Sequence, residues 1–389
     1  MRHSTYLEVS LRNIADNVEC VRRLAGAAEV IAMVKGNAYG HGMETVSRYL
    51  HDACGVRNFG VASLGEALLL RATQPCIATD PRSEIFVFSD TEVMNEGCQS
   101  YYEQGDQPAA RLTPVLATVS QLKAFCASAA FDGTKLCLKL NTGMNRLGLR
   151  PDELAEVLPL LRQRGGVDHL LQHFSVAAAA ARRAETQAHY DTFKRAVQFL
   201  RDGGVEVRAT SVSNSGAVEQ RIGLEETYVR PGLMLYGPRS VTDQRLWAGK
   251  PASCLYTKVL HHFPVRRGEG VGYGLEPTSA DAVVVMLPLG YADGFIREYK
   301  GMAVTVTPDG AADPIAGTVH GSVNMDMTAV VVYPEEVGKD IGAIMAAVKD
   351  EARIRVWGED VGEKAASVGS IPNQLFCGIS IRVPRVYTT

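Results

Sequence analysis

The chain lacks long hydrophobic runs and shows no excess of charge of one sign. Its longest apolar stretch covers residues 282–290, whereas a membrane-spanning helix needs about 20 residues. The opening sequence MRHSTYLEVS has no apolar core of the kind that secretory signal peptides contain. Lys and Arg total 40 against 43 Asp and Glu, for a net charge of -3, which favours neither nucleic-acid binding nor an acidic tail. We therefore expect a cytoplasmic protein that binds neither membranes nor nucleic acid.

Cysteine is present, but not in the spacing of a disulfide framework or a zinc site. The eight cysteines are scattered through the chain without a CxxC pair, and Cys137 lies inside a hydrophobic run. Paired cysteines at short spacings are typical of metal sites and of small secreted scaffolds. We therefore expect reduced thiols and no metal ion.

Length and composition exclude the smallest classes of protein. At 389 residues the chain is long enough for two to three domains, or for one large α/β barrel with an appendage. Its 46% hydrophobic and 21% charged residues are ordinary for a globular protein. A peptide hormone, a lone helical module and a single small β domain are excluded.

Strand-like and helix-like segments alternate through the first part of the chain. Between eight apolar or β-branched runs lie segments with apolar residues at i, i+3 and i+4. Eightfold alternation predicts a (β/α)8 barrel, and a doubly wound sheet is the competing topology. The runs cover residues 30–35, 58–63, 84–89, 112–119, 135–140, 168–174, 206–213 and 227–232.

The sequence pattern changes after Gly237, where most segments are strand-like apolar runs separated by Gly and Pro. This pattern predicts a second, mostly β domain with few helices. The opening residues YLEVS also resemble a strand. The predicted domains are a barrel at residues 11–237 and a β domain at residues 238–389, joined by the N-terminal strand within residues 1–10.

Polar residues follow several predicted barrel strands, at the rim where barrel enzymes keep their chemistry. Lys35 ends the first strand and opens a Gly-rich turn in VKGNAYGHG. By itself it fits either an ordinary surface or ion-paired lysine or a partly desolvated amine suited to Schiff-base chemistry. Small residues after strands seven and eight favour a phosphate site. The other rim residues are Lys139, Asn141, Arg146, His173, Ser213, Asn214, Ser215, Arg230 and Gly232.

Two further patterns favour ordinary structural roles. His169 and His173 are four residues apart, but their segment alternates like a strand and lacks the HExxH glutamate, so a zinc pair is not expected. The glycines of GEGVGYG, residues 268–274, neither follow a βα turn nor open a helix. They predict a hairpin or turn that presents Tyr273, and not a dinucleotide-binding loop.

Nine segments, in this order, resemble the alanine racemase family, which are pyridoxal-phosphate enzymes built from a barrel and a β domain. The resemblance covers essentially the whole chain and implies an amino-acid racemase that forms a homodimer with shared active sites. The segments are VKGNAYGHG, LKLNTGMNRLG, HFS, SNS, VRPGLMLYG, GEGVGYG, LPLGYADGF, GSVNMDM and ISIRVPR.

The resemblance implies two catalytic bases. Lys35 matches the lysine that holds the cofactor covalently and acts as one base, and Tyr273 matches the opposing base, supplied by the other subunit. Bases on opposite faces suit racemisation, because the α-proton leaves one face and returns on the other. The family links this tyrosine to a histidine and an arginine, which His173 and Arg230 match.

The resemblance also assigns binding roles. Arg230 matches the arginine that faces the pyridine nitrogen, which a donor-only guanidinium keeps unprotonated. Arg146 matches the arginine near the substrate carboxylate, and Lys139 matches a lysine that is carbamylated in many members. Met325 and Asp326 match the partner-subunit segment whose backbone amide receives the substrate carboxylate. The cofactor phosphate is matched by Tyr39, Ser215, Gly232 and Leu233.

The chain departs from the family pattern around the expected substrate corridor. Ile381 replaces a usual tyrosine, Ser322 replaces a usual arginine, and Ala178 lies where an acidic residue is common. The usual arginine at 322 and the usual acidic residue at 178 would form a charge pair. Replacing both is less costly than replacing one, since the remaining buried charge would be unpaired. Asn141 replaces a common aspartate, and Arg297 keeps one corridor cation.

These observations leave several functions open. The leading hypothesis is a racemase of alanine, and the altered corridor favours serine or a larger amino acid as the alternative. A non-catalytic pyridoxal-phosphate-binding barrel and a decarboxylase are further alternatives. Tyr273 and the β domain argue for an enzyme, and the NMDM and GYG segments argue for a racemase.

Overall fold

The computed structural model describes residues 4–103, 111–240 and 247–389. The chain divides into two compact units. One consists of Asn13–Gly249, and the other combines Met1–Arg12 with Lys250–Thr389. In the described residues, no helix is both long enough and apolar enough to cross a membrane.

The first unit contains a closed barrel of eight parallel strands. Each strand pairs with the next in sequence, and the last pairs with the first. The predicted (β/α)8 barrel is confirmed, and the doubly wound sheet is wrong because an open sheet would leave two unpaired edges. The strands are β2 (Glu29–Met33), β3 (Asn58–Ser63), β4 (Glu84–Asp90), β5 (Arg111–Leu116), β6 (Cys137–Lys139), β7 (Val167–Leu171), β8 (Val207–Asn214) and β9 (Tyr228–Arg230).

Helices connect these strands and begin close to the rim. Ser63, Thr118 and Asn214 each use a side-chain oxygen to accept a backbone N–H in the first turn of the following helix, which satisfies a group that the helix cannot. The helices are α1 (Leu11–Ala25), α2 (Lys35–Tyr39), α3 (Met43–Asp52), α4 (Leu64–Thr73), α5 (Pro75–Ala78), α6 (Glu96–Gln99), α7 (Val119–Ala127), α8 (Leu154–Gln163), α9 (Arg183–Asp202) and α10 (Ser215–Glu219).

The barrel interior is a packed core and not a channel. Inward-facing side chains alternate along the strands, as a strand period of two requires. They form one buried cluster, against which Tyr39 and Tyr228 also pack. The cluster consists of Ile31, Met33, Phe86, Phe88, Val115, Cys137 and Leu171.

The second unit is mostly β, as predicted. A four-stranded sheet has the order β18, β10, β1, β19, a five-stranded sheet has the order β11, β14, β17, β16, β15, and β12 pairs with β13. The strands are β1 (Tyr6–Ser10), β10 (Ser253–Lys258), β11 (His261–Val265), β12 (Gly270–Val271), β13 (Glu276–Pro277), β14 (Ala282–Leu287), β15 (Ala303–Thr305), β16 (Ala316–His320), β17 (Thr328–Val332), β18 (Arg353–Trp357) and β19 (Arg385–Thr388).

This unit also contains short helices that the strand-like composition did not predict. They are α11 (Pro334–Val337), α12 (Ile341–Ala347), α13 (Val361–Ser367) and α14 (Pro372–Gly378). Such lengths give a weak periodic signal, and most of a helix's stability comes from tertiary packing. Asp340 marks the start of one of them, because its carboxylate accepts the Ala343 N–H.

Helix α9 supplies a test of the barrel's packing. Phe193 is completely buried, whereas Phe199 on the same helix is 41% exposed. We expect Phe193→Ala to lower the free energy of unfolding by about 3–5 kcal/mol, because it removes buried apolar surface and leaves a cavity. Urea unfolding measures this change, with Phe199→Ala as the control. Equal losses in the two variants would contradict the complete burial of Phe193.

Candidate active site

Lys35 follows the first barrel strand and opens a turn of unusual backbone conformation. Gly36, Asn37 and Ala38 have φ values of 62°, 55° and 53°, so three consecutive residues adopt left-handed helical geometry. This region costs energy for residues with a Cβ atom, and such strain persists only where surrounding structure enforces it. The turn therefore fixes the backbone immediately after Lys35.

Contacts from neighbouring elements hold this turn in place. The Glu66 carboxylate accepts the N–H groups of Gly36 and Ala62, both at 2.7 Å. The Asn37 side-chain oxygen accepts the N–H of Met43 at 2.8 Å. A carboxylate that accepts two backbone donors on adjacent elements locks them together. Glu66 was not predicted from the sequence, and its position in the first turn of α4 is the only signal for it.

Aromatic rings pack beside the same strand end. Tyr236 donates from its hydroxyl to the Met33 carbonyl at 3.0 Å. The centroid of the Tyr236 ring lies 5.0 Å from that of the Tyr39 ring and 4.5 Å from that of the His41 ring. This stack fixes Tyr39 against the segment that follows the last barrel strand.

A small polar cradle joins the ends of strands β8 and β9. The Ser215 hydroxyl oxygen accepts the N–H of Gly232 at 3.0 Å and that of Met234 at 3.3 Å. A Cβ atom on Gly232 would lie 2.2 Å from the Tyr39 hydroxyl oxygen, so only glycine permits this approach. Leu233 opens the 3-10 turn Leu233–Tyr236 that follows. The predicted phosphate residues are therefore neighbours in space.

Arg230 is buried at the end of the last barrel strand, and the groups that accept its hydrogen bonds are neutral. Its guanidinium donates to the Ser211 hydroxyl oxygen and to the carbonyls of Gln172 and Val212. Burial lowers the pKa of Arg230 to about 10, which still leaves it charged at neutral pH. A buried cation that is held by uncharged acceptors retains a field available to an anionic or electron-rich ligand.

Ser211 connects Arg230 to His169 deeper in the barrel. Its hydroxyl lies 2.7 Å from His169 Nε2. The same hydroxyl oxygen accepts from the Arg230 guanidinium, so Ser211 links the guanidinium to the imidazole, while His169 Nδ1 is buried and has no hydrogen-bond partner among the described residues. Burial, followed by the charges of Arg230 and Lys135, lowers the pKa of His169 to about 3. The sequence did not predict this chain of hydrogen bonds; a serine at an inward position of a buried strand was the available signal.

Four cationic residues influence one another at this rim. Lys139 is buried at the end of β6, and burial, followed by the charges of Arg146, Arg230 and Lys35, lowers its pKa to about 8. Burial and the charges of Arg230, Lys139 and Arg146 hold the pKa of His173 well below its ordinary value. Like charges at short range raise the cost of further protonation. The rim therefore has a positive potential and a largely neutral histidine.

Asn141 organises the exposed loop that carries Arg146. Its side-chain oxygen accepts the N–H groups of Gly143 at 3.2 Å and Asn145 at 3.0 Å. A Cβ atom on Gly148 would lie 2.6 Å from the backbone of Leu140, so the loop closes tightly. The amide that replaces the usual family aspartate thus keeps the acceptor role without adding charge.

His173 contacts Asn214 and not Arg230 directly. The Asn214 side-chain nitrogen lies 3.5 Å from His173 Nε2 and 3.0 Å from the Phe174 carbonyl. The interaction of His173 with Arg230 is electrostatic. Ser213 and Asn214 lie within strand β8, which extends further than the predicted run.

In the second unit, Tyr273 lies in the turn between β12 and β13. The predicted hairpin is confirmed, since Gly270 pairs with Pro277 and Val271 pairs with Glu276. The Tyr273 side chain is 76% exposed.

The NMDM segment and the C-terminal segment of this unit are joined by an arginine. Arg382 forms ion pairs with Asp293 at 2.7 Å and with Asp326 at 3.0 Å. Met325 is exposed, and its carbonyl accepts the N–H of Ala292 at 3.0 Å. Arg382 therefore connects the NMDM segment to the 3-10 turn that contains Asp293.

The three residues that depart from the family pattern are each at least partly accessible to solvent. Ile381 is 94% exposed, and Ser322 accepts a hydrogen bond from Arg297 at 3.2 Å. Ala178 is exposed in the barrel unit. Arg297 thus uses the shorter serine as a neutral partner.

Comparisons with known proteins agree with this arrangement over the whole chain. A family model described as alanine racemase, N-terminal domain, matches residues 9–240, and one described as alanine racemase, C-terminal domain, matches residues 252–387. The chain belongs to the alanine racemase family. As a member of this family it is an isomerase, and the resemblance found in the sequence is confirmed.

Individual members of the alanine racemase family show how complete the match is. The alanine racemase of Alcanivorax borkumensis is 31% identical to this chain, and the match covers 98% of each of the two sequences. The alanine racemase of Marinobacter nauticus is also 31% identical, and the match covers 100% of each sequence. The solved structure of biosynthetic alanine racemase from Pseudomonas aeruginosa has a TM-score of 0.81 and 28% identity, with both chains covered completely.

The buried His169 of this alanine racemase family member predicts a pH effect on stability. The unfolded state gains a proton near pH 6.5, whereas the folded state resists protonation until about pH 3. Stability contributed by the neutral histidine is therefore complete above pH 6.5 and decreases as the pH falls toward 3. Between pH 7 and pH 5 this decrease amounts to about 2 kcal/mol.

We expect His169→Gln to lose that part of the pH dependence. Urea unfolding at pH 7 and pH 5 measures it, and His261→Gln is the control because the His261 side chain is 63% exposed. An identical decrease in wild type and His169→Gln would show that His169 is protonated in the folded barrel.

Proposed function

We propose that this protein is a pyridoxal-phosphate-dependent racemase that interconverts L- and D-alanine. The observation that carries the proposal is the rim of the barrel, where Lys35 meets a set of cations and a neutral polar cradle. A small anionic ligand with a carbonyl group suits such a rim, because a lysine amine reacts with a carbonyl and the cradle accepts an anion.

The residues present fit the cofactor. Ser215 accepts two backbone N–H groups, so its own proton is available to a phosphate oxygen, and glycine at 232 leaves the Tyr39 hydroxyl close to it. Arg230 carries a positive charge in a buried position with neutral acceptors. Leu233 and His173 complete the proposed cofactor site.

The cofactor would supply an electron-withdrawing pyridine ring conjugated to the substrate amine, which acidifies the α-proton. Lys35 would hold the cofactor covalently before substrate arrives, and its amine would then take or return the α-proton at Nζ on one face. The left-handed turn after Lys35 and the Glu66 contacts limit the backbone motion of this base. A base held in place reacts faster than one that must first be ordered.

Tyr273 is proposed as the base on the opposite face, supplied by the other subunit of a homodimer. Its position in an exposed turn supports this role, because a side chain on such a hairpin is accessible to a second chain. The β domain proposed at residues 238–389, with the strand within residues 1–10, would thus complete the partner's site. When Lys35 removes the α-proton, the Tyr273 Oη would donate a proton to the opposite face. In the other direction Tyr273 would remove the proton and Lys35 would donate one.

Arg230 would tune the cofactor, with Ser211 and His169 as positioning residues. A guanidinium donates hydrogen bonds and accepts none, so facing the pyridine nitrogen it leaves that nitrogen unprotonated. This weakens the electron sink and limits side reactions that need a long-lived carbanion. The Ser211 hydroxyl and the Gln172 carbonyl fix the plane of the guanidinium.

Substrate and carboxylate recognition are assigned to a second set of residues. Arg146 would contact the substrate carboxylate, together with the backbone of Met325 and Asp326 from the partner subunit. Lys139 has a pKa lowered to about 8, so a substantial fraction of its amine is neutral near that pH. We propose that this amine adds carbon dioxide and releases a proton, giving a carbamate that pairs with Arg146.

Serine or a larger amino acid is the second candidate substrate. Three departures from the family pattern favour it: Ile381 and Ala178, which are exposed, and the partly exposed Ser322 stand where larger or charged residues are usual. Fewer charges near the path of the substrate lower the cost of admitting a different side chain. The proposed reaction and its location in the cytoplasm are the same in either case.

Exchange of the α-proton tests the proposed reaction. We expect cofactor-loaded wild type in deuterium oxide to place deuterium on alanine and to form the opposite enantiomer, followed by NMR and chiral chromatography. Lys35→Ala should lose at least about 10³-fold in exchange rate, since one base and the covalent attachment are both removed. Lys123→Ala is the matched control, because Lys123 is exposed and pairs with Glu156.

The outcomes separate the candidate functions. If α-proton exchange occurs chiefly with serine or with an amino acid that has a longer side chain, that amino acid and not alanine is the substrate. Release of carbon dioxide would indicate a decarboxylase, and cofactor binding without any exchange would indicate a binding protein. Undiminished exchange in Lys35→Ala would contradict the proposed role of this lysine.

Mixing two inactive variants tests the shared sites. Homodimers of Lys35→Ala and of Tyr273→Phe should both be nearly inactive, because each site lacks one base. After the two are unfolded together and refolded, half of the chains in a random mixture should form heterodimers with one intact site each. We expect about a quarter of the wild-type activity. No recovery, with heterodimers verified by mass spectrometry, would mean that Tyr273 acts within its own chain or not at all.

A further inference from the structure

Three side chains of types that bind metal ions, a histidine, an aspartate and a cysteine, form a cluster away from the rim, at the opposite end of the barrel strands. It joins His51 and Asp52, at the end of helix α3, to Cys76 in helix α5. One imidazole nitrogen, one carboxylate oxygen and the sulfur all lie within 4.8 Å of one another. These residues precede strands β3 and β4, whereas the rim lies at the carboxyl ends of the strands, so the cluster takes no part in the proposed reaction.

The imidazole of His51 is already oriented for a ligand. Its Nδ1 lies 2.7 Å from a carboxylate oxygen of Asp52, and its Nε2 lies 3.3 Å from a carboxylate oxygen of Asp80. Metal-binding histidines commonly direct the second ring nitrogen to a carboxylate, which fixes the ring and its tautomer. Asp80 thus occupies the position of an outer partner, and Nδ1 faces the cluster.

The outer partner is itself held rigidly. Asp80 forms ion pairs with Arg57 at 2.7 Å and with Arg82 at 2.9 Å. Arg57 also donates to the backbone carbonyl of His51 at 2.9 Å. These contacts tie the His51 backbone, the Asp80 carboxylate and the imidazole into one unit, so the imidazole needs little rearrangement to bind an ion.

The remaining two ligands, Asp52 and Cys76, are both partly accessible to solvent. The Asp52 side chain is 53% exposed, and the Cys76 thiol donates to its carboxylate. Tetrahedral zinc ligands lie about 3.3–3.6 Å apart, given zinc distances of about 2.0 Å to nitrogen and 2.3 Å to sulfur. Because the three atoms already lie within 4.8 Å of one another, they need to approach by no more than about 1.5 Å to reach this range. An ion at this position replaces the protons that now join the three groups.

We propose that His51, Asp52 and Cys76 bind one divalent zinc ion, with water as the fourth ligand on the exposed side. The combination of thiolate, imidazole and carboxylate matches the ligand preferences of zinc and excludes magnesium and calcium, which prefer oxygen ligands. The ion ties the end of α3 to α5, and α3 follows the left-handed turn that carries Lys35. Its role is structural, since the cluster lies outside the catalytic rim.

Zinc binding to the full-length, cofactor-loaded protein tests the proposal. After treatment with a chelator and addition of zinc sulfate, we expect one retained zinc per chain by elemental analysis. Zinc K-edge absorption should show one sulfur neighbour at about 2.3 Å and nitrogen or oxygen neighbours at about 2.0–2.1 Å. The zinc-loaded protein should also have a higher melting temperature than the chelator-treated protein.

Variants identify the ligands. Cys76→Ser should remove the sulfur neighbour and lower the affinity at least tenfold, and Asp80→Asn should lower the affinity about 10- to 100-fold without removing the sulfur. Cys98→Ser is the matched control, because Cys98 is partly buried in another helix, and it should behave as wild type. Circular dichroism verifies folding of each variant. Absence of a sulfur neighbour in wild type, or its persistence in Cys76→Ser, would overturn the proposal.

Discussion

The pairing of the first barrel strand with the last is the constraint on which the candidate site depends. Glu29 lies opposite Tyr228 and Val30 opposite Val229, and the Met33 N–H continues the pairing by donating to the Pro231 carbonyl. Parallel strands in register end at the same level, so closure brings the start of the Lys35 turn beside Arg230 and Gly232. Residues almost 200 positions apart in the sequence thus become neighbours. Without closure, Tyr39 would have no glycine to approach and the cradle would be incomplete.

Closure also explains why so many cations lie together. Lys139 and Arg230 end strands β6 and β9, and His173 follows β7, so the charge of the buried Arg230 lowers the pKa values of both Lys139 and His173. Burial makes each charge costly, and the neutral acceptors around Arg230 offset only the hydrogen-bonding part of that cost. Such a grouping of buried positive charges is unfavourable by itself. It is coherent if the binding of an anionic group relieves the repulsion, which is the physical basis of the proposed cofactor site.

Rigidity and access are divided between different parts of the chain. The Lys35 turn is enforced by Glu66, by Asn37 and by the stack of Tyr39 on Tyr236. By contrast, Tyr273 and Ile381 lie on exposed segments of the second unit. A base that must stay aligned with a bound group benefits from a fixed backbone. Residues that are to meet a second chain or an incoming substrate need exposure instead.

The sequence by itself determined the alternation of strands and helices, the mostly β second unit and the family, because each leaves a local pattern of period, turn residues or contiguous motif. It also identified the rim residues, since the end of a strand is visible in the sequence. Only the tertiary structure decided which polar side chains meet, such as Ser211 with His169 and Arg230, or Cys76 with His51 and Asp52. These partners are separated by 19 to 42 residues along the barrel and by 24 or 25 around the helices. No local pattern records such distances, because they follow from closing eight strands into one cylinder.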